Sequence, residues 1–302
     1  MHNAFATTQD GFLFGQHRSC MRSGLVGGIR GFMLDVHLTT SPVLKLCHVW
    51  CWLGSSSLND TLLMFNEFRR QNPREIVTIF IEVGFDEHGT VDNSMKTIFR
   101  SLLKESFQVS GLTPFLFAHS LTSKQWPSLS DMIAHDKQIV VIVNDKSFCN
   151  GQVALWLHCK CHFVTETPFG ITVPQQLREA CVFQNIWRQC DELTLMNHFT
   201  NVGSMGFNLG SLEWLARQFS VTELENFNRR PFLQDTVELC SKCSGRYINF
   251  VAVDFWASSD VLQVIVAVNA NKMTHTHDPQ RPDAAFCSNG THKPSANRCV
   301  LS

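Results

Sequence analysis

Five stretches of the chain are continuously apolar or alternate between apolar and polar residues: 29–36, 43–48, 76–82, 138–143 and 249–255. Runs of this length and period predict β-strands. Between them, 59–71 sets Leu62, Leu63, Phe65 and Phe68 against Glu67, Arg69 and Arg70, with Pro73 just beyond, as at the end of a helix. The stretch 92–104 repeats the pattern with Met95, Ile98, Phe99 and Leu102. Further helix is predicted over 209–219 and 221–226, the second capped by Ser220. Strands alternating with helices predict an α/β fold with a parallel sheet, its strands apolar throughout because helices cover them. Periodicity alone leaves a barrel and an open sheet both standing.

The same period shows where the strands turn polar. Gly31, Met33, Asp35 and His37 share one face of the first strand, Glu82 shares a face with Thr78 and Phe80, and Asp254 shares one with Phe250 and Ala252. The second run closes on Cys47 and His48. A buried charge without a partner is costly, yet three carboxylates end three apolar strands. In parallel α/β folds that end of the sheet is where active sites assemble. Neither a G-x-G-x-x-G sequence nor a Walker sequence occurs, which removes the commonest dinucleotide and NTPase readings.

Composition narrows the picture. With 302 residues, 44% apolar and 17% charged, the chain has enough apolar material for a sizeable core. A net charge of −1 gives no electrostatic case for nucleic acid or for strong attraction to an anionic membrane. No apolar run approaches the length of a membrane-spanning helix. Twelve cysteines are many, and two explanations compete. Cys159/Cys161 with neighbouring His158 and His162, or Cys240/Cys243, invite a zinc site, but only Cys240–Cys243 has knuckle spacing. Disulfides in an oxidising compartment are the favoured reading, and the sequons at Asn59 and Asn289 are compatible with secretion. The chain opens on Met1-His2-Asn3 with no signal peptide, so a cytoplasmic location is the alternative. The segment 272–302, rich in His, Pro, Asn and Ser, reads as an extended tail that Cys287 and Cys299 would staple.

The segments HNAFAT (2–7), GQHRSC (15–20), GGIRGFMLDVH (27–37), LCH (46–48), NPREIVTIFIE (72–82), WPSLSDMI (126–133), MNHF (196–199) and INFVAVDFW (248–256) occur in a characteristic order. Together they resemble the X-domain-like branch of the phosphatidylinositol-specific phospholipases C, in the PLC-like phosphodiesterase superfamily. The resemblance implies a distorted TIM-like (β/α) barrel over 1–271 with its site at the carboxyl ends of the strands. By the same resemblance His2 is the general base that deprotonates the inositol 2-hydroxyl, and His48 the general acid that protonates the leaving diacylglycerol oxygen. Asp254 is the carboxylate that orients the base. Imidazoles suit both roles because their ordinary pKa lies near neutrality. The implied partner is a phosphodiester or phospholipid substrate met by peripheral membrane contact.

The resemblance also implies a calcium site from Asn3, Asp35 and Glu82, whose oxygens suit that ion. Met33 stands where the calcium-dependent members carry another carboxylate, and a thioether is a poor ligand for a hard cation. Metal-free bacterial members have an arginine at the position of Asp35, so calcium dependence stays open. A strand precedes the first histidine in the family, whereas here only Met1 does. The expectation is a barrel lacking its first strand, a loosely held His2, and a chain that begins part-way into a secreted protein. Arg30 is expected to be structural. His17, His198 and Lys146 stand open between the site mouth and ordinary surface or capping roles, and Trp50 and Trp52 are placed to meet a lipid interface. Two functional alternatives remain: a catalytically silent headgroup-binding barrel, and a glycerophosphodiesterase-like activity.

Overall fold

The computed structural model describes residues 1–13, 15–85, 91–120, 125–148, 154–169, 171, 175–182, 193–200 and 225–274. The predicted helix 209–219, most of 221–226, and the tail with Cys287 and Cys299 lie outside them. The chain divides between Phe163 and Val164 into two units.

The first unit is built on a six-stranded sheet. Its strands are β1 (Gly31–Leu38), β2 (Leu44–Cys47), β3 (Ser55–Ser57), β4 (Val77–Phe85), β5 (Ile139–Val143) and β6 (Leu157–Cys159), in the order β3-β2-β1-β4-β5-β6. The four strands β1, β4, β5 and β6 pair in parallel, and β5 is buried along its whole length, as a strand covered on both faces must be. β2 departs from the parallel expectation. It returns antiparallel on β1, with Leu46 opposite Val36, and β3 continues antiparallel on β2. Only a short loop joins β1 to β2, and a loop too short for a crossover forces the antiparallel return.

The two predicted helices of this unit form, over Leu58–Gln71 and Asn93–Val109. Ser57 caps the first by accepting from the Asp60 N–H, and Asp92 caps the second by accepting from the Met95 N–H. Their apolar faces reach the sheet through Phe65, whose ring meets Phe32 edge-on at 5.1 Å, and Phe99, which meets Phe148 at 5.0 Å. Arg30 is held structurally: it pairs with Glu75 at 2.7 Å and donates to the carbonyls of Leu25 and Ile29.

Among the described residues no strand precedes His2, as expected, but the expectation of a loose His2 meets a correction. The Met1 nitrogen donates to the Gly31 oxygen at 2.8 Å, Met33 N–H to the Met1 oxygen at 3.0 Å, and Ala4 N–H to the Met33 oxygen at 2.9 Å. Residues 1–4 thus pair with the first half of β1, on the edge that β4 leaves open and whose second half β2 takes. Met1 and Ala4 are buried there.

The second unit carries β7 (Val164–Glu166), β8 (Leu193–His198) and β9 (Phe250–Val253), parallel in that order. Its helices include Gln175–Val182, Phe232–Ser244 and Val261–Thr274. A disulfide joins Cys181 to Cys240 across the first two. Cys240 therefore does not form a zinc knuckle with Cys243.

Candidate active site

The pairing of β1 converges three side chains. Residues 1–4 run up its open edge from one end, while β2 runs down the same edge from the other, and both lead toward Asp35. Asn3 arrives with the first and His48 with the second. Turned so that its nitrogen faces the carboxylate, the Asn3 amide donates to both Asp35 oxygens at 3.1 Å. Its oxygen then accepts from His48 Nε2 at 3.2 Å and faces the Gln16 side chain at 2.8 Å. This orientation matches the amide to Asp35 and His48, and the Gln16 amide turns with it so that its nitrogen, not its oxygen, faces the Asn3 oxygen. It also puts a hydrogen on His48 Nε2.

Glu82 joins by register, since β4 pairs with β1 so that Asp35 and Glu82 are direct partners. Burial above all, and the like charge of Glu82 after it, hold the Asp35 carboxyl well above the usual carboxylate range. Among the described residues no lysine or arginine pairs with either group. The oxygens of Asp35 and Glu82 form a hard donor pair on one side of the sheet, which the Asn3 oxygen would join with its amide turned the other way, and two neighbouring carboxylates are a fit for a divalent cation. Met33 shares their face but is buried and brings only sulfur. Softer sites are weaker: the His37/Cys47/Cys51 and Cys159/Cys161/His162 groupings both rely on cysteines already held in disulfides.

His48 sits on a tightly constrained turn. A disulfide from Cys47 to Cys51 spans it, the Trp50 N–H donates back to the His48 oxygen at 2.9 Å, and Val49 lies at φ 67°. A β-branched residue pays steric strain in that region, a strain that concentrates at functional sites. Trp50 and Trp52 follow, their rings stacked 5.7 Å apart, with Trp52 70% exposed. Asn3 (φ 41°) and Phe255 (φ 48°), the latter directly after Asp254, are left-handed as well.

His2 is half-buried and its backbone is held from behind. The His17 Nε2 lies 2.6 Å from the His2 carbonyl oxygen and donates to it, and His17 is completely buried. The Gln16 and His17 N–H groups both bond the Ala6 oxygen. His17 is therefore neither surface nor mouth but a support for the segment that carries His2 and Asn3. Gln16 was missed by the sequence reading. Its signal was the motif GQHRSC, which period and spacing alone do not connect to Asn3.

In the second unit Asp254 follows β9 and is buried. Its carbonyl oxygen accepts from Asn228 Nδ2 at 2.8 Å, and Asn228 Oδ1 lies 2.9 Å from His198 Nδ1 at the end of β8. Asn228, unremarked in the sequence, ties the ends of the two strands together.

Comparison with known proteins bears on the family and the fold. The family described as PI-PLC X 1 matches residues 8–269. "PI-PLC X domain-containing protein 1" of Arthroderma benhamiae is 25% identical over 246 residues, which cover 80% of this chain and 74% of that protein. An "Uncharacterized secreted protein" of the same organism is 29% identical over 149 residues, 48% of this chain and 30% of its own length. Among solved structures, the phosphatidylinositol-specific phospholipase C of Listeria monocytogenes aligns over 90% of both chains with a TM-score of 0.55 and 15% identity. A mutant of the Staphylococcus aureus enzyme aligns over 88% of this chain and 89% of its own, with a TM-score of 0.61 and 12% identity. The chain has the α/β fold of these bacterial enzymes, the TIM-like barrel type expected from its motifs, and it belongs to the PI-PLC X domain family.

Proposed function

We propose that the chain is a phosphoric diester hydrolase of the phospholipase C type, acting on an inositol phospholipid or a related lipid phosphodiester. The observation that carries the reading is the meeting of Asn3, Asp35 and His48 within 3.2 Å on the open edge of β1. His2 takes the proton from the headgroup 2-hydroxyl, and the freed oxygen attacks phosphorus. The bond from phosphorus to the diacylglycerol oxygen breaks, and that oxygen receives the Nε2 hydrogen of His48. His17 and Gln16 hold His2 and Asn3 in place, so the base does not have to be ordered during the reaction. Asp254 is assigned the orienting carboxylate by its family position.

Asn3, Asp35 and Glu82 would hold a calcium ion, which would supply positive charge for the phosphodiester oxygens. The exposed Trp52, stacked on Trp50 beside His48, suits a peripheral lipid contact. Among the described residues no helix is long and apolar enough to cross a membrane. Disulfides and a relative named as secreted favour an extracellular setting.

Release of water-soluble headgroup from phosphatidylinositol vesicles, with calcium and with EGTA, tests the reading. His48→Ala is expected to lower turnover by about 10²–10⁴-fold, the ordinary worth of a general acid, with the fold intact by circular dichroism. Loss of turnover in EGTA supports the cation site, and turnover that survives EGTA removes it. One observation favours a second reading, the buried Met33 beside Asp35 in place of a further carboxylate. A folded wild-type chain that binds headgroup but turns nothing over in either buffer would establish a silent binding barrel instead.

A further inference from the structure

The helix Leu58–Gln71 turns Leu58, Thr61, Leu62, Phe65 and Phe68 inward. Asn59, Leu63, Glu67 and Arg70 line its exposed side, one residue to each turn. Glu67 is engaged there, pairing with Arg22 at 2.6 Å. The Asn59 side chain bonds no group among the described residues. Leu63 is 47% exposed, an apolar side chain left in water. Helical side chains lean toward the helix N-terminus, which carries the Leu63 isobutyl group toward Asn59. The helix starts where β3 ends, and β3 runs the same way as β1 because two antiparallel steps separate them. Asn59 therefore stands at the end of the sheet where β1 and β4 finish.

Asn59-Asp60-Thr61 is an acceptor sequence for an N-linked sugar. In the transfer the Asn59 amide nitrogen bonds C1 of a sugar carried on a lipid diphosphate. The bond from C1 to the diphosphate oxygen breaks, its electron pair leaves with the lipid diphosphate, and the amide nitrogen gives up one hydrogen as a proton. The Thr61 hydroxyl, part of what marks the acceptor, is buried in the folded helix and donates to the Ser57 oxygen at 3.0 Å. The transfer therefore belongs to the extended chain, before this helix forms, and the fold must accommodate the product. It does so at no cost, since a sugar on Asn59 projects into solvent and displaces no native bond. The disulfides Cys47–Cys51 and Cys181–Cys240 are of the kind made in the compartment where such sugars are added.

We propose that Asn59 carries an N-linked oligosaccharide whose first sugar covers Leu63. A pyranose presents a face of C–H groups, which lies over an exposed leucine while its hydroxyls stay in water. The full chain, sent into the secretory pathway of a eukaryotic cell behind a removable leader, tests the site. Peptide-N-glycosidase in ¹⁸O-water marks each glycosylated asparagine with heavy oxygen, and peptide mass mapping reads the mark. Heavy oxygen at position 59 is expected, in the chain as given and in Asn289→Gln alike. An unmarked Asn59 overturns the site. A chain that stays in the cell is mapped from the cell extract, because the sugar is added on entry and before folding. Melting temperatures test the contact. Asn59→Gln, which cannot accept the sugar, is expected to melt below the glycosylated chain, and the fall should shrink when both carry Leu63→Ser. Equal falls in the two backgrounds overturn the cover over Leu63. Neither readout involves turnover, so the hydrolase reading can fail without touching this inference.

Discussion

Asp35 is the residue where structure and function pull in opposite directions. A carboxyl whose pKa is raised on folding keeps its proton longer in the native chain than in the unfolded one. Stability then falls as pH climbs from the ordinary carboxylate range through the raised value. Asp35→Asn removes that penalty while keeping the shape of the side chain. In EGTA at neutral pH it is expected to raise the urea midpoint above wild type and to lower turnover, the usual exchange of stability for a working site. A lower midpoint would mean that the two bonds from the Asn3 amide stabilise the carboxylate by more than its burial costs. Asp35, Glu82 and His48 were legible in sequence because period two places them at strand ends. The bond from His17 to His2, and that from Asn228 to Asp254, were not. Each joins a loop residue to a main-chain oxygen distant in sequence, and no local pattern encodes such a meeting.

Among the elements, the disulfides Cys181–Cys240 and Cys47–Cys51 differ in what they restrain. Cys181–Cys240 closes a separation of 59 residues, and loop-closure entropy makes it worth about 4 kcal/mol. Cys47–Cys51 closes only 4, worth about 2 kcal/mol on the same scale, but the loop it closes carries His48. Replacing Cys181 and Cys240 with serine should therefore lower the melting temperature markedly and leave turnover per folded molecule nearly unchanged. Replacing Cys47 and Cys51 should do the reverse, with the smaller fall in melting temperature and a roughly tenfold or greater loss of turnover from a misplaced acid. Equal effects on both properties would refute the division. β1, β4, β5 and β9 and the helices 59–71 and 92–104 were visible from periodicity, whereas β8, of six residues, was not predicted. β3, β6 and β7 are three residues each, too short for any period to register. β2 was found, but its antiparallel return depends on loop length and not on its own residues.

For the whole molecule, pH stability is governed by imidazoles that stay neutral. Burial lowers the pKa of His158 and of His198 to about 4. Each is held in a neutral tautomer, His158 between the Val141 oxygen and the His119 N–H. The unfolded chain protonates both near pH 6.5, whereas the native chain does so only near 4. Stability is therefore full above about 6.5 and is lost as pH falls through that window, by an amount on the order of 3 kcal/mol for each ring. Urea midpoints taken between pH 7 and pH 4 should fall steeply, and a flat profile would show that one or both rings are charged in the native state. Extracellular deployment at neutral pH is compatible with this profile, and an acidic compartment is not favoured by it.

Trp50 and Trp52, whose rings stack, flank the disulfide-bonded Cys51 in the sequence, and a disulfide near an excited indole quenches it. The resting molecule should thus emit weakly from this pair, and the paired rings should give a coupled signal in the near-ultraviolet circular dichroism. A dithiol reductant would brighten the fluorescence, and insertion of the pair into lipid would shift it to the blue. The turn that carries His48 has its own optical gauge, one that reports the redox state and lipid contact of its surroundings without any added label.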